Sequence, residues 1–374
     1  MTGGHTMKFS CNRSELQAAV TIAAKAASAK SPIPALEGIL IETGTDKVQL
    51  TGYDLKKGIY TRVDATVAEP GSIVLGARIF DNIIRALPEG VVTVRSEGCN
   101  VFITCENSDF SIMGTDAADY PELPSIDGQT GVQLPQNLLS EIIRETIFAV
   151  SDSEARPIYT GELFEIGDGH LTVVAVDGYR LALRREPVEG VSGEYSFIVP
   201  GSALSDLEKL CAPTEDKVQI SLGSKHISFT IGDTVLISRR LEGEFLNYKK
   251  SVPSAFGVEV RADRRFLQRT VERVSLIIDD KIKNPIRCTF GDSQITVVCA
   301  TSLGKAEDSC MVEGNGGDLE IGFNNRYLLD ALKAAPADEV KVCLNTGSSP
   351  CVVTPAEGEE NFLYMILPVR LKAE

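Results

Sequence analysis

Apolar residues recur along this chain in two rhythms, and the alternation of those rhythms is itself repeated. From Gln136 the apolar positions Leu138, Leu139, Ile142, Ile143, Ile147 and Phe148 fall on one stripe, with Glu141, Arg144 and Glu145 off it, which predicts an amphipathic helix over 136–150. Two short segments rich in β-branched and aromatic residues follow, 162–166 and 171–176. Gly167-Asp168-Gly169 between them supplies the positive φ that a hairpin needs. The second segment ends in Asp177-Gly178-Tyr179-Arg180, a turn that sets an aromatic ring beside a guanidinium.

The same plan opens twice more. Helical stripes at 14–24 and 264–276 are followed by strand-like pairs, 39–43 with 47–51 and 288–290 with 294–299, and Asp54 follows its strands as Asp177 does. A second plan alternates with the first: strand, small residues, amphipathic helix and proline stop, running 72–88, 196–213 and 319–336. Pro88, Pro213 and Pro336 end these helices by one mechanism, because proline lacks the N–H and pushes its predecessor out of the α region. Three strand-like runs follow each stop: 91–95, 101–106 and 110–114; 217–222, 226–231 and 234–239; 340–344, 351–355 and 362–367. Alternation such as Val218-Gln219-Ile220-Ser221-Leu222 fits antiparallel strands with one covered face. The expectation is an α+β chain of three tandem similar domains, 7–128, 129–253 and 254–374. Pro- and Gly-bearing joints lie at 121–131 and 252–257, and 1–6 form an extension outside the fold. Each domain closes its two helices on one side of its sheets, since every helix has one apolar stripe to bury, and six helices line one face of the molecule.

Composition removes several function classes. At 374 residues and 43% hydrophobic the chain is globular and too long for one core. Nine cysteines without a C-x-x-C pair, and only three histidines, argue against zinc and for reduced, packed thiols in a cytosolic protein. No apolar run approaches the ~20 residues that span a bilayer. A net charge of -15 argues against nucleic acid if it is spread evenly. It is not spread evenly: the six helical segments together are net positive, with Arg264, Arg265, Arg269 and Arg273 the densest group. Helices often carry solvated cations, so this alone decides nothing. A basic lining behind an acidic exterior, however, holds a polyanion by its backbone without reading bases.

An enzyme is the rival reading. Asp177, Tyr179 and Arg180 in one turn offer an acid, a base and an anion clamp, but no G-x-S-x-G, P-loop, G-x-G-x-x-G or H-E-x-x-H pattern is present. Gly314-Asn315-Gly316-Gly317 reads as a loop, and Asp279-Asp280 and Glu359-Glu360 as solvated turns. A repeat scaffold that binds proteins without DNA is a third reading.

Over residues 7–371 the chain resembles the bacterial DNA polymerase III beta subunit, the sliding-clamp family. The likeness rests on Met7-Lys8-Phe9, Lys30-Ser31-Pro32-Ile33-Pro34, Ala117-Ala118-Asp119-Tyr120-Pro121, Arg156-Pro157-Ile158-Tyr159-Thr160-Gly161, Val176-Asp177-Gly178-Tyr179-Arg180-Leu181 and Tyr364-Met365-Ile366-Leu367-Pro368-Val369-Arg370-Leu371. The resemblance implies a head-to-tail homodimeric ring of six similar domains, helices inside and sheets outside. That ring encircles duplex DNA regardless of sequence and tethers the replicative polymerase α subunit, the clamp loader and other partners. It implies no catalytic residue, cofactor, metal or membrane contact, and a cytoplasmic, nucleoid-associated protein. Partners would dock a short linear motif on Tyr159, Val176, Gly178, Tyr179, Arg180, Leu181, Leu246, Lys250, Ser251, Met365, Leu367, Pro368, Val369 and Arg370. Lys250 and Ser251 stand where relatives often have arginine and an aliphatic residue. DNA would meet Lys30, Arg78, Arg85, Arg156, Arg269, Arg273 and Lys333, and the subunit seam would join Phe110 and Ile112 to Leu276 and Ile277. Taken alone, Tyr364 to Val369 reads more readily as a core strand and Asp177 to Arg180 as an ordinary turn, and the resemblance reverses that preference.

Overall fold

A computed structural model describes residues 6–126, 130–189, 193–279, 284–358 and 361–371. Three of the helices start where a short polar side chain satisfies a free N–H group. Asn12 caps α1 (Arg13–Ala24), Asp263 caps α6 (Arg264–Ser275) and Asn324 caps α7 (Asn325–Ala334). Between these lie α2 (Ala77–Ala86), α3 (Gln136–Thr146), α4 (Gly201–Leu210) and the single turn α5 (Tyr248–Ser251). The stripe expected to run as one helix over 136–150 breaks at Thr146. Its hydroxyl bonds back to the Ile142 carbonyl at 2.8 Å, and the chain continues as a 3-10 turn over Ile147–Ala149. None of the helices among the described residues is long and apolar enough to cross a membrane.

The strands form antiparallel ladders. A five-stranded sheet runs, in spatial order, Thr66–Glu69, Thr6–Asn12, Val91–Glu97, Asn100–Cys105 and Ser108–Met113. An eight-stranded sheet runs Thr130–Pro135, Lys217–Leu222, His226–Ile231, Thr234–Arg239, Lys57–Asp64, Lys47–Tyr53, Gly38–Thr43 and Ser72–Gly76. The third sheet has twelve strands. It begins Tyr195–Pro200, Gly161–Gly167, His170–Val176, Arg180–Pro187, Phe362–Ile366, Cys351–Pro355 and Glu339–Leu344. It continues Val258–Asp263, Gly304–Asn315, Gln294–Thr301, Ile286–Phe290 and Leu319–Phe323.

Two compact units account for the chain, 1–138 with 209–240 and 139–208 with 241–374. They cut across the middle third because sheets continue from one repeat into the next: Thr234–Arg239 pairs with Lys57–Asp64, and Phe362–Ile366 with Arg180–Pro187. Within the first unit Leu16, Ala19, Val20 and Ala23 of α1 and Phe80, Ile83 and Ile84 of α2 share one core with both layers of strands. In the second, Leu267, Val271 and Val274 of α6 and Leu328, Leu329 and Leu332 of α7 do the same. Each such pair of helices therefore buries its stripes on one side of its sheets, as expected from single-sided amphipathicity.

Two expectations are corrected. Thr6 belongs to the first strand, paired with Glu97, while residues 1–5 lie outside the described residues. Gly314 and Asn315 end a strand rather than lie in a loop, because they pair with Val260 and Glu259, and a Cβ at Gly314 would stand 2.2 Å from the Glu259 carbonyl oxygen; Gly316 and Gly317 make the turn. Asp280, Glu359 and Glu360 lie outside the described residues, and Asp279 is exposed.

Candidate functional site

The Asp177 turn, the C-terminal segment and α5 meet over one face of the twelve-stranded sheet. Its floor is a run of cross-strand neighbours, Val176 opposite Leu181, Leu181 opposite Met365 and Met365 opposite Val352, all buried in one apolar cluster with Leu163, Val174, Ile198 and Tyr248. Tyr159, Leu246, Leu183 and Leu363 pack against that cluster and remain partly open. Above the floor the tail is tied at two points: Leu367 N–H donates to the Tyr179 carbonyl and Val369 N–H to the Gly322 carbonyl, each at 2.8 Å. Gly322 has no room for a side chain, since its Cβ would lie 2.5 Å from the Val369 carbonyl oxygen.

The proposed motif-pocket residues therefore divide by depth. Val176, Leu181 and Met365 are floor. Tyr159, Leu246, Ser251, Leu367 and Pro368 are half-buried walls, and Gly178, Tyr179, Lys250, Val369 and Arg370 are exposed rim. Tyr179 is 62% exposed and stacks on Tyr327 of α7, ring centres 6.1 Å apart. Such a half-open apolar trough with aromatic and aliphatic walls suits an extended peptide with a few apolar anchors.

Arg180 is engaged within the chain. Its Nε donates to Asp177 Oδ2 at 3.0 Å and its Nη1 to Asp330 Oδ2 at 2.5 Å. Its guanidinium lies over the rings of Tyr327 (4.5 Å) and Phe148 (5.3 Å), leaving 12% of the side chain exposed. The carboxylate of Asp177 is committed as well. Its Oδ1 accepts from the N–H of Tyr179 (2.8 Å) and Arg180 (3.0 Å), which makes it a turn cap rather than a base available to a substrate. Among the described residues no cluster of three or more His, Cys, Asp or Glu is placed to hold a metal.

The basic residues on the helices also divide. Arg13 and Arg264, in equivalent positions, turn inward and donate to the last carbonyls of the companion helix: Arg13 to Ile84 and Arg85, Arg264 to Leu332 and to Ala337 just beyond it. Gln136 stands at the matching place in α3, and its Oε1 accepts from Ala212 N–H at 2.8 Å. Arg264, counted with the basic group from sequence, is thus a structural tie. Arg85 pairs with Asp81 at 2.6 Å, Arg273 with Asp308 at 2.5 Å and Lys333 with Glu272 at 3.6 Å. Lys30, Arg78 and Arg269 are exposed and have no ion-pair partner among the described residues, and Arg156 is exposed with its guanidinium 6.0 Å from the Tyr159 ring centre.

Of the residues expected at a subunit seam, Phe110 and Ile112 lie on Ser108–Met113, the last strand of the five-stranded sheet, with Phe110 exposed and Ile112 half-buried against the core. Leu276 follows α6 and is exposed, while Ile277 packs on the core beside it. Met113 and Leu303 are exposed too; sequence reading overlooked both, although apolar residues at an edge strand and at a hairpin tip are a recognisable signal.

Comparison with known proteins gives one answer along the whole length. Residues 7–124, 133–247 and 249–370 match the N-terminal, central and C-terminal domains of the DNA polymerase III beta subunit. The beta sliding clamp of Synechocystis sp. is 33% identical, covering 98% of this chain and 100% of its own, and that of Staphylococcus aureus is 32% identical, covering 97% and 99%. The DNA polymerase sliding clamp of Bacillus subtilis superimposes with a TM-score of 0.93 at 29% identity, over 98% of this chain and all of its own. That of Pseudomonas aeruginosa bound to griselimycin does so at 0.91 and 29%, over 99% and 100%. Sequence motifs, the threefold architecture and these likenesses converge, and the chain belongs to the DNA polymerase III beta subunit family of sliding clamps.

Proposed function

We propose that the chain acts as a sliding clamp, closing in head-to-tail pairs around duplex DNA and tethering the replicative polymerase, the clamp loader and other motif-bearing partners, without catalysis of its own. The observation that carries the reading is a strand pairing used twice inside the chain. Thr234–Arg239 adds to Lys57–Asp64, and Phe362–Ile366 adds to Arg180–Pro187, each time linking the last strand of one repeat to the hairpin of the repeat before it. One strand of the donor kind is left over, Ser108–Met113, and one of the acceptor kind, the first part of Gly304–Asn315. Two copies satisfy both leftovers reciprocally, with Phe110 and Ile112 brought to Leu276 and Ile277, and an exposed edge is covered. The domains in this reading are 7–128, 129–253 and 254–374.

Lys30, Arg78, Arg85, Arg156, Arg269, Arg273 and Lys333 supply the contacts to phosphate. Lys30, Arg78 and Arg269 do so directly, whereas Arg85, Arg273 and Lys333 exchange a protein carboxylate for a phosphate. Exchangeable contacts suit a protein that moves along DNA, because persistence then comes from topology rather than affinity. Partners seat their motif on the trough walled by Tyr159, Tyr179, Leu246, Leu367, Pro368 and Val369. The test is retention: loaded onto nicked circular plasmid, the protein co-migrates with DNA on gel filtration and is lost when the plasmid is linearised. Equal retention on both forms excludes encirclement.

A further inference from the structure

We infer that the protein has a second recognition site beside the motif trough, which takes an acidic side chain from the segment flanking a partner's motif. The inference rests on the proposed trough being where partners dock. Next to it lies a cavity of about 790 Å³ that no assigned role uses, lined by Glu165, Thr172, Arg185, Tyr195, Tyr248 and Thr354 among others. The two sites share one sheet face. Leu181 and Met365 floor the trough; Leu183 opposite Leu363 forms the next row; Thr172 opposite Arg185 forms the row after that. From Leu181 to Arg185 is four strand residues, roughly 14 Å at the usual rise. Tyr248 of α5 joins the two sites, belonging to the apolar cluster and also lining the cavity.

Two features give the cavity its chemistry. Thr354 is 5% exposed and lines it, yet its hydroxyl has no hydrogen-bond partner, which a buried polar atom rarely tolerates. Arg185 presents an exposed guanidinium with no ion-pair partner among the described residues. The acidic groups in the lining are accounted for or peripheral. Glu165 accepts from Tyr248 Oη at 2.5 Å and pairs with Lys249 at 3.5 Å, while Asp168 and Glu194 are exposed at the rim. A hydroxyl in want of a partner and a free guanidinium together fit a carboxylate, which accepts from both. Continuity of the floor makes a chain already seated in the trough the occupant.

The test uses the full-length protein and synthetic peptides from the clamp-binding segment of the organism's replicative polymerase, one spanning the apolar motif alone and one carrying ten native residues on each side. The longer peptide binds five- to thirtyfold more tightly by fluorescence anisotropy. Arg185→Ala and Thr354→Val each bring it close to the short peptide's affinity and leave the short peptide unchanged. Arg185→Glu weakens the longer peptide further, and changing that peptide's acidic residues to lysine restores it. If both peptides bind alike, or if the variants leave the longer peptide unaffected, the second site is excluded while the trough stands. If the short peptide does not bind, or binds unaltered by Tyr179→Ala, the trough itself fails and this inference with it.

Discussion

The turns at Asp54 and Asp177 are built alike and do different things. Asp54 Oδ1 accepts from the N–H of Lys56 and Lys57, as Asp177 Oδ1 accepts from Tyr179 and Arg180. In both, the third residue's carbonyl accepts from the strand of the following repeat, Lys56 from Arg239 at 2.9 Å and Tyr179 from Leu367 at 2.8 Å. The carboxylate therefore belongs to the scaffold, and its presence in a turn says nothing about catalysis. What differs is the pair of side chains displayed. Lys56 and Lys57 occupy the places where Tyr179 and Arg180 reach α7 and frame the trough. The trough is built by departures from the repeat.

The sharpest test of that contrast is to remove the fourth residue of each turn. Arg180→Ala leaves Asp177 and Asp330 without their shared cation and strips a ring contact from both Tyr327 and Phe148. The expected loss is about 3 kcal/mol, at the low end for breaking a buried pair because Asp330 is partly exposed. Lys57→Ala is expected to stay within about 0.5 kcal/mol. Denaturant melts of the two variants decide it, and equal losses would mean that the fourth residue plays the same part in both turns. Next in size is the effect on binding. Tyr179→Ala or Leu367→Ala weakens a short partner peptide at least tenfold, about 1.4 kcal/mol or more for a rim anchor, while Lys56→Ala does nothing.

A second departure lies within the strands. Ile39, Glu162 and Ile286 are equivalent by register and all fully buried, so one repeat in three places a carboxyl where the others place an aliphatic chain. Burial pushes the Glu162 carboxyl up to about 8, against the weaker opposing effect of Thr146, whose hydroxyl lies 2.9 Å away. The folded state thus holds a proton that the unfolded chain releases near the ordinary value of 4.5. Stability contributed by this group is full below that value and declines as pH rises towards 8, with a slope approaching one proton, about 1.4 kcal/mol per unit. Glu162→Gln is expected to flatten that slope, measured as the melting temperature between pH 5 and 8; an unchanged slope would mean that Glu162 is ionised in the fold.

These departures mark the limit of what sequence shows. The helices, the strands and the threefold order were legible because period and proline stops are local properties. The resemblance put the Asp177 turn and the tail together, and Leu367 N–H does meet the Tyr179 carbonyl. The pairing of Arg180 with Asp330 was not legible, because the two lie 150 positions apart, a distance no window spans. Arg264 looked like a solvated charge for the same reason, its partners being carbonyls of another helix and just beyond it. The continuous sheets across repeats escaped notice because an edge strand and a paired strand share one alternation.

The smallest effect returns to the two turns and isolates the backbone. Their second residues both adopt positive φ, 72° at Leu55 and 95° at Gly178. Leucine there is strained by its Cβ, whereas glycine is not. The side chain of Leu55 is about half exposed, so little burial is lost on removing it, and a Cβ at Gly178 would meet no atom within 4 Å. Only the dihedral preference is then left to act. Leu55→Gly should relieve about 1 kcal/mol of strain, less a few tenths for the freer unfolded chain, and raise the midpoint. Gly178→Ala should lower it by about 1 kcal/mol, by the same reasoning in reverse. Opposite signs in paired urea melts would show that the two turns obey one conformational rule beneath their different side chains; shifts of the same sign would mean that the surroundings of the turns, rather than their dihedrals, govern both.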